Sequence, residues 1–229
     1  MNKNFKYLVI IPAREGSKGI IKKNLKEFNG VPLIAKTIIE TKKINRDIEI
    51  YVSSDGKEII KTAEKYGAQG ILRSKKNSGD FSSSEDAITE VINNIDNIDS
   101  YNTILFLQCT SPLRNFTDIE KAMDLYENSN SRSLFSGYED FKPIWKNLKN
   151  KFIPINHNKI KRSARQTVKN QITENGAIYI FDIKSFLRDK TRFCGETSVY
   201  VMPKSRSIDI DSELDWFLAE QTELYEELL

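Results

Sequence analysis

The sequence predicts an α/β fold in which a mostly parallel sheet is flanked by helices, and three observations lead to that prediction. Apolar segments of strand length alternate with amphipathic segments of helical length through most of the chain. Some apolar segments are continuous, as is typical of strands that are buried on both faces. Polar loops follow several of these strands, and such loops are where α/β folds bind ligands.

The apolar segments predict the strands, and the periodic segments predict the helices between them. Strands are expected over residues 7–12, 48–53, 69–72, 103–107, 133–138, 176–181 and 198–202. Helices are expected over residues 32–43, 55–66, 84–95, 117–127 and 212–229. Pro32 suits the start of the first helix, and Asp55 and Thr117 are expected to cap the second and the fourth.

Two regions carry expectations about packing. The last helix is predicted to have an apolar face formed by Leu214, Phe217, Leu218, Leu224 and Leu228. Residues 140–173 mix prolines, short apolar pairs and basic residues with little helical periodicity. We therefore expect one domain over residues 1–229, in which residues 140–173 form a small dimerisation extension of a homodimer.

Composition and charge exclude several classes of function. The chain of 229 residues has a net charge of +3, which is too weak to indicate nucleic acid by itself. Its apolar segments are too short to span a bilayer, and its first residues lack the pattern of a secretory signal. We therefore expect a cytoplasmic protein with neither a nucleic-acid partner nor a membrane partner.

Residues that serve as soft metal ligands or as activated nucleophiles are sparse. Cys109 and Cys194 lie far apart, which argues against a structural zinc site and against a redox dithiol. His157 is the only histidine, so a Ser-His-Asp triad or a multi-histidine metal centre would depend on a single residue. The chemistry is therefore sought in the charged loops.

The first strand leads directly into a basic loop, residues 13–24. Its cations are Arg14, Lys18, Lys22 and Lys23. Gly16 and Gly19 allow main-chain N–H groups to approach oxyanions closely, and the cations supply counter-charge. The glycine spacing matches neither the P-loop nor the dinucleotide fingerprint. The loop indicates a nucleoside triphosphate site, although on composition alone a charged turn that faces water is an equal alternative.

Three further polar clusters fall at the ends of predicted strands, namely residues 108–114, residues 165–166 with 173–179, and residues 207–213. The first of them offers an amide, two hydroxyls and a guanidinium. In an extended segment Asp209 and Asp211 point to the same face, where two carboxylates can hold Mg²⁺ together with phosphate oxygens. An isolated Asp-x-Asp more often caps the following helix. Beside a cationic polyphosphate loop, the metal interpretation is favoured.

Together these segments resemble the acylneuraminate cytidylyltransferases, also called CMP-sialic acid synthetases, along nearly the whole chain. The matching motifs are Ala13-Arg14-x-Gly16-Ser17-Lys18-Gly19 with Lys23-Asn24-Leu25, Gln108-x-Thr110-Ser111-Pro112-Leu113-Arg114, Asn175-Gly176-Ala177-Ile178-Tyr179, and Ser207-Ile208-Asp209-Ile210-Asp211-x-Glu213-Leu214-Asp215. Each motif is weak alone, and in this order they are strongly specific. The resemblance implies a Rossmann-like fold of the nucleotide-diphospho-sugar transferase type. It also implies a reaction between CTP and a nonulosonic acid that releases pyrophosphate.

The resemblance further implies roles for single residues. Arg14 and Lys18 would bind the phosphates, and Lys23 would stabilise the leaving pyrophosphate. Asp209 and Asp211 would hold Mg²⁺, and Asp211 is counted with the three cations as catalytic. The residues implied to contact cytidine are Asn24, Arg73 and Ser84, and those implied to contact the acid sugar are Gln108, Arg165 and Tyr179.

Plainer explanations exist for several of these residues. By itself, a tyrosine in a strand such as Tyr179 is more often a core residue than a pocket residue. Gln108 and Ser84 could cap or bridge loops, and Arg165 could pair with a carboxylate of a partner subunit. The assignments to the acid sugar therefore depend on the resemblance.

The sequence departs from the family pattern on the sugar side. Thr173 and Trp145 stand where basic residues are expected, and Phe193-Cys194 replaces an aromatic pair. Fewer cations leave fewer hydrogen-bond donors for a polyhydroxylated tail. We therefore hypothesise a deoxygenated acceptor such as legionaminic or pseudaminic acid. The alternatives are an enzyme of the CMP-Kdo synthetase type and a non-catalytic nucleotide-binding or RNA-binding protein.

Overall fold

A seven-stranded sheet forms the centre of the molecule. The computed structural model describes residues 5–17, 19–74, 83–161, 171–226 and 228. The strands are β1 (Tyr7–Pro12), β2 (Glu27–Phe28), β3 (Val31–Pro32), β4 (Ile48–Ser54), β5 (Gln69–Leu72), β6 (Thr103–Leu107), β7 (Ser133–Glu139), β8 (Trp145–Leu148), β9 (Lys151–Pro154), β10 (Ile172–Asp182) and β11 (Thr197–Val201). The helices are α1 (Leu33–Lys42), α2 (Lys57–Lys65), α3 (Ser84–Asn93), α4 (Phe116–Glu127), α5 (Ile183–Asp189) and α6 (Glu213–Glu226).

The predicted α/β fold with a mostly parallel sheet is confirmed. The strand order is β11-β7-β10-β6-β1-β4-β5, and only the two pairings that involve β10 are antiparallel. Along β1, Tyr7, Val9 and Ile11 face one core layer, whereas Leu8 and Ile10 face the other. Because both faces are covered, the central strands are continuously apolar, which is why they could be predicted from the sequence.

Two predicted helix caps are wrong. Gly56 precedes α2, and the Asp55 carboxylate accepts a hydrogen bond from the backbone N–H of Glu15 (2.8 Å). Asp55 follows β4 at the edge of the sheet where the basic loop begins, so it stabilises that loop instead of the helix. Asn115 caps α4 by accepting from the N–H of Asp118 (3.0 Å), which leaves Thr117 inside the first turn.

The predicted apolar face of the last helix is also wrong. The five residues that were expected to form it, Leu214, Phe217, Leu218, Leu224 and Leu228, are all exposed. The buried side chains of α6 are Trp216 and Ala219. Trp216 packs edge-on against Phe28, and the ammonium of Lys26 lies 4.4 Å from the centre of the indole ring. Apolar residues occur on more than one side of α6. The side that carries Trp216 is the buried one, because the indole ring offers more apolar surface than any other side chain of the helix.

Most of the region predicted to be an extension lies apart from the central sheet. Its first part contains the antiparallel hairpin β8–β9, and residues 162–170 lie outside the described residues. Residues 172 and 173 already belong to β10, which begins four residues before the predicted strand. The short helix α5 was not predicted. Within the described residues, no helix is both long and apolar enough to cross a membrane.

Candidate active site

A cleft of about 490 Å³ opens at the carboxyl ends of the parallel strands β1, β4, β5 and β6. Loops that follow parallel strands meet at this edge of the sheet, so residues distant in sequence converge there. The lining comprises Pro12, Arg14, Gly16, Ser17, Gly19, Lys23, Asn24, Arg73, Ser83, Ser84, Ala87, Gln108, Cys109, Thr110, Asp209 and Asp211. The cleft thus brings together the basic loop, residues 108–114 and residues 207–213, three of the four clusters identified in the sequence.

The basic loop is held in shape by contacts that leave the side chain of Arg14 exposed. Asn24 donates from its side-chain amide to the carbonyl of Arg14 (2.8 Å), and the N–H of Glu15 is bound by Asp55. The side chain of Arg14 reaches solvent at the edge of the cleft. Asn24 is buried, and its amide fixes the course of the loop while it lines the cleft.

The basic loop and the acidic segment, residues 207–215, are in direct contact. The ammonium of Lys23 is buried, bonds to the carbonyl of Ile210 and lies 3.6 Å from a carboxylate oxygen of Asp211. A Cβ placed on Gly19 would lie 2.0 Å from the carbonyl oxygen of Asp211. Only glycine permits this approach, so Gly19 serves the packing of the two segments as well as the backbone freedom of the loop.

The carboxylates of Asp209 and Asp211 differ in environment. Desolvation by the cleft walls raises the pKa of Asp209, and the charge of Asp211 raises it further. A hydrogen bond from Thr110 and the charge of Lys23 act in the opposite direction. The side chain of Asp211 is 82% exposed. The site therefore has one partly desolvated carboxylate and one carboxylate that is open to an incoming ligand.

Neither of these aspartates caps the following helix, which removes the alternative explanation of the Asp-x-Asp pattern. Asp215 accepts from the N–H of Ser212 (2.8 Å), and the Ser212 hydroxyl accepts from the N–H of Asp215 (3.3 Å). This reciprocal pair caps α6. Among the described residues no group of three or more His, Cys, Asp and Glu side chains is assembled for a metal. Two carboxylates beside a basic loop still suit Mg²⁺, which commonly takes one or two protein carboxylates and completes its shell with phosphate oxygens and water.

Another part of the cleft lining is formed by Arg73, Ser83 and Ser84. Arg73 is buried, and its guanidinium donates to the hydroxyl (2.8 Å) and the carbonyl (3.0 Å) of Ser53 at the end of β4. Burial lowers the pKa of Arg73. The Ser83 hydroxyl caps α3, so Ser84 begins the helix beside the cleft. This wall combines a fixed cation with a helix N-terminus, and both favour an anionic or polar ligand.

Gln108 lines the cleft, whereas two other polar residues expected near it are buried elsewhere. The guanidinium of Arg114 donates to the carbonyls of Gln108 (3.1 Å) and Ala177 (2.8 Å) and to the hydroxyl of Thr37. Arg114 therefore orders the loop after β6 and offers no donor to a ligand in the cleft. Tyr179 lies on β10 with its hydroxyl bound to Glu174, outside the cleft lining.

Two of the predicted site residues, Lys18 and Arg165, lie outside the described residues. The structure adds Cys109 to the lining, together with Thr110, which the sequence analysis named as a hydroxyl of residues 108–114 without giving it a role. The carbonyl of Thr110 accepts from the N–H of Ile210 (2.8 Å), so this residue joins the loop after β6 to the acidic segment. Burial raises the pKa of Cys109 to about 12, so its thiol stays protonated. Cys109 and Thr110 follow Gln108 directly after the buried strand β6, and this position could have identified them as cleft residues.

Comparison with known proteins gives the family. The cytidylyltransferase family profile matches residues 8–228. The chain is 34% identical to the pseudaminic acid cytidylyltransferase of Campylobacter jejuni subsp. jejuni serotype O:23/36 (strain 81-176), over 92% of this chain and 93% of the relative. It is 32% identical to the CMP-N,N'-diacetyllegionaminic acid synthase of Legionella pneumophila subsp. pneumophila (strain Philadelphia 1), over 97% and 98% of the two chains. It is 34% identical to N-acylneuraminate cytidylyltransferase A of Danio rerio, over 93% of this chain and 49% of the longer relative.

The fold also has a solved counterpart. The structure of CMP:2-keto-3-deoxy-manno-octonic acid synthetase complexed with CTP superposes with a TM-score of 0.64, covering 98% of this chain and all of that one. The sequence identity is 14%, so this likeness concerns the fold. The family profile and the relatives carry the assignment: this chain belongs to the cytidylyltransferase family and is a nucleotidyltransferase.

Proposed function

We propose that this enzyme transfers CMP from CTP to the anomeric hydroxyl of a nonulosonic acid and releases pyrophosphate. The observation that carries the proposal is the meeting of the basic loop with Asp209 and Asp211 in one cleft. Cations alone would suit any polyanion, but two carboxylates in the same cleft would repel a bare phosphate chain. A divalent cation between them removes that repulsion. The relatives named above supply the class of donor and acceptor.

The side chains of the cleft divide the work. Arg14 lies where it can bind phosphate oxygens at the edge of the cleft, and the loop glycines leave room for backbone N–H groups to do the same. We assign Lys23 to the charge that grows on the leaving pyrophosphate, because it is buried and already fixed by the Ile210 carbonyl. We assign Arg73, Asn24 and Ser84 to the cytidine. Positioning and charge stabilisation account for such a displacement, and no covalent enzyme intermediate is needed.

We further propose that Asp209 and Asp211 hold Mg²⁺. When bound there, the ion would supply positive charge that is shared among the phosphate oxygens. The support from the chain is the donor set, two oxygen ligands that face the phosphate side of the cleft. Lys23, 3.6 Å from Asp211, already balances part of that carboxylate's charge.

The acceptor is proposed to be pseudaminic, legionaminic or N-acylneuraminic acid, with a preference for the first two. Two of the relatives described above are named for pseudaminic and legionaminic acids. Exposed Trp145 on β8 adds apolar surface in the region where the family resemblance would place a cation. We place the enzyme in the cytoplasm, because Cys109 and Cys194 are both free thiols, as is usual in a reducing compartment.

Release of pyrophosphate from CTP and Mg²⁺, measured with a panel of nonulosonic acids, tests the proposal. We expect turnover with at least one of the three acids and the highest kcat/KM with pseudaminic or legionaminic acid. A clear preference for N-acetylneuraminic acid would contradict the acceptor preference alone. Turnover only with the eight-carbon acid of the CMP-Kdo synthetase reaction would contradict the proposed acceptor class. Salt-sensitive binding of RNA without any release of pyrophosphate would contradict the enzyme.

We also propose that two copies associate through the hairpin β8–β9. Its exposed apolar side chains are Ile144, Trp145, Leu148, Phe152, Ile153 and Ile155. Such a cluster on a two-stranded hairpin, which is marginally stable alone, is typical of an interface. Sedimentation equilibrium should show a dimer for the wild type and a monomer for Phe152→Asp. Leu125→Asp on α4, also at an exposed apolar side chain, should remain dimeric. A Phe152→Asp variant that stays dimeric would contradict this interface.

A further inference from the structure

We propose that Arg192 is a positioning residue for the acceptor. Anchored by Glu85 at the start of α3, it stacks on Tyr179, whose strand runs beside the cleft residue Gln108. The inference rests on the proposed function, and it concerns a residue that the family motifs of the sequence analysis do not include.

Arg192 makes three contacts with different elements. The centre of its guanidinium lies 4.7 Å from the ring centre of Tyr179 on β10 and 5.4 Å from that of Phe106 on β6. Its Nε donates to one carboxylate oxygen of Glu85 (2.9 Å), and its Nη2 donates to the other (3.4 Å). Only 14% of the Arg192 side chain is exposed. A cation–π contact and a two-point ion pair are both stronger when water is largely excluded.

The ion pair connects Arg192 to the cleft wall. Glu85 is the second residue of α3 and directly follows Ser84, which lines the cleft. A carboxylate in the first turn is already favoured by the helix dipole, so Glu85 holds the loop that carries Arg192 in place. The capped start of α3 therefore serves as an anchor for Arg192.

The cation–π contact connects Arg192 to Tyr179 on β10. Tyr179 donates its hydroxyl to Glu174 on the same strand. Gly176 lies on the same strand, and a Cβ on it would be 3.5 Å from the side-chain amide of Gln108. The strand that carries Tyr179 and Glu174 thus runs beside the cleft residue Gln108.

The geometry favours an indirect role over direct binding of the acceptor carboxylate. The guanidinium edge that Arg192 could present to an anion is occupied by both oxygens of Glu85. An acceptor carboxylate would have to displace Glu85 and leave the Glu85 carboxylate without its cation. The cost of breaking the existing ion pair would be comparable to the gain from forming the new one. We conclude that Arg192 acts on the acceptor through Tyr179, with Glu85 as its anchor.

Steady-state kinetics of Arg192→Met, Arg192→Lys and Glu85→Gln test the inference, with the nonulosonic acid that the wild type uses best. For Arg192→Met we expect the KM for the acceptor to rise about tenfold, as for the loss of one contact of moderate strength. The KM for CTP should change less than about twofold. Glu85→Gln should shift the acceptor KM in the same direction by a smaller factor. Arg192→Lys keeps the charge without the planar stack and should fall between wild type and Arg192→Met.

Arg188→Met is the matched control, because Arg188 is exposed and pairs only with its neighbour Asp189 among the described contacts. It should keep both KM values. An unchanged acceptor KM in Arg192→Met, or an equal rise in the KM for CTP, would overturn the inference while leaving the proposed function intact. A lower acceptor KM in Glu85→Gln would overturn it in favour of direct binding by Arg192. A wild type that releases no pyrophosphate with any of the acids would instead refute the proposed function, and the inference with it.

Discussion

The two ends of the cleft use charge differently. At the end formed by the basic loop, Arg14 and Asp211 extend into solvent, and the loop around them is held by backbone contacts. At the end near Gln108, Arg192 and Glu85 are committed to each other and Tyr179 to Glu174. The first end keeps the charges of Arg14 and Asp211 open to a ligand, and the second end uses its charges to fix the shape of the protein.

This difference fits the two substrates proposed for the enzyme. A triphosphate brings several negative charges of its own, so free cations and a metal-binding carboxylate are needed there. An acid sugar brings one carboxylate and a set of hydroxyls whose arrangement must be distinguished from those of similar sugars. Distinction of that kind depends on groups that cannot rearrange. Substitutions at the two ends should accordingly produce different kinetic signatures.

The largest effect is expected at the loop end, from Asp211→Ala. Loss of this carboxylate should lower kcat at least about a hundredfold, as for other losses of a preorganised charge. The free energy of unfolding should change by less than about 1 kcal/mol, because the side chain is 82% exposed and its pair with Lys23 is long. Pyrophosphate release and urea unfolding measure the two quantities.

Glu213→Gln is the control for Asp211→Ala. Glu213 lies two residues further along, is exposed and pairs with Lys26. The substitution removes the same charge from the same segment and should leave kcat within about twofold of wild type, as expected for a surface ion pair. Turnover of Asp211→Ala equal to that of Glu213→Gln would show that the loop end does not depend on a free carboxylate.

A smaller effect, on stability, is expected from Gly19→Ala. The new methyl group would lie 2.0 Å from the carbonyl oxygen of Asp211, so the basic loop and the acidic segment must separate. We expect a loss of about 1–3 kcal/mol in the free energy of unfolding, as for other overpacked contacts. Gly16→Ala in the same loop is the control, because no heavy atom of the described residues lies within 4 Å of its ideal Cβ. Equal stability of the two variants in urea unfolding would contradict the contact.

The loop end could be predicted from the sequence because its parts are contiguous. β1 is an apolar run, and the glycines and cations follow it without interruption. The approach of Asp211 to Gly19 could not be predicted, since it depends on where a segment almost two hundred residues later returns to the sheet. The sequence did indicate that the two segments meet, because Asp209 and Asp211 are favoured as a metal site only beside a cationic loop.

The end near Gln108 could not be predicted in the same way. Glu85 and Arg192 are ordinary charged residues in their local sequence, and only the tertiary fold places them together. The same limit explains Asp55, whose carboxylate serves the basic loop instead of the nearest helix. It also explains α6, where periodicity identified an apolar face but packing buried Trp216. Local patterns determine the elements, and competition among possible partners determines which side of each element is used.

The smallest effect is expected where the two ends meet, at Asp209. Its raised pKa means that the folded state binds a proton more readily than the unfolded state, so this group lowers stability as the pH rises through that interval. Asp209→Asn removes the cost of burying this charged carboxylate, and we expect it to raise Tm at neutral pH. The rise should stay below the shift of about 2–4 °C that 1 kcal/mol gives in a chain of this size. The difference from wild type should vanish below the ordinary carboxyl pKa, where Asp209 is neutral in both states. Tm measured across this pH range checks the prediction, and a lower Tm for Asp209→Asn at neutral pH would show that the carboxylate is stabilised by Thr110 and Lys23 more than it is destabilised by burial.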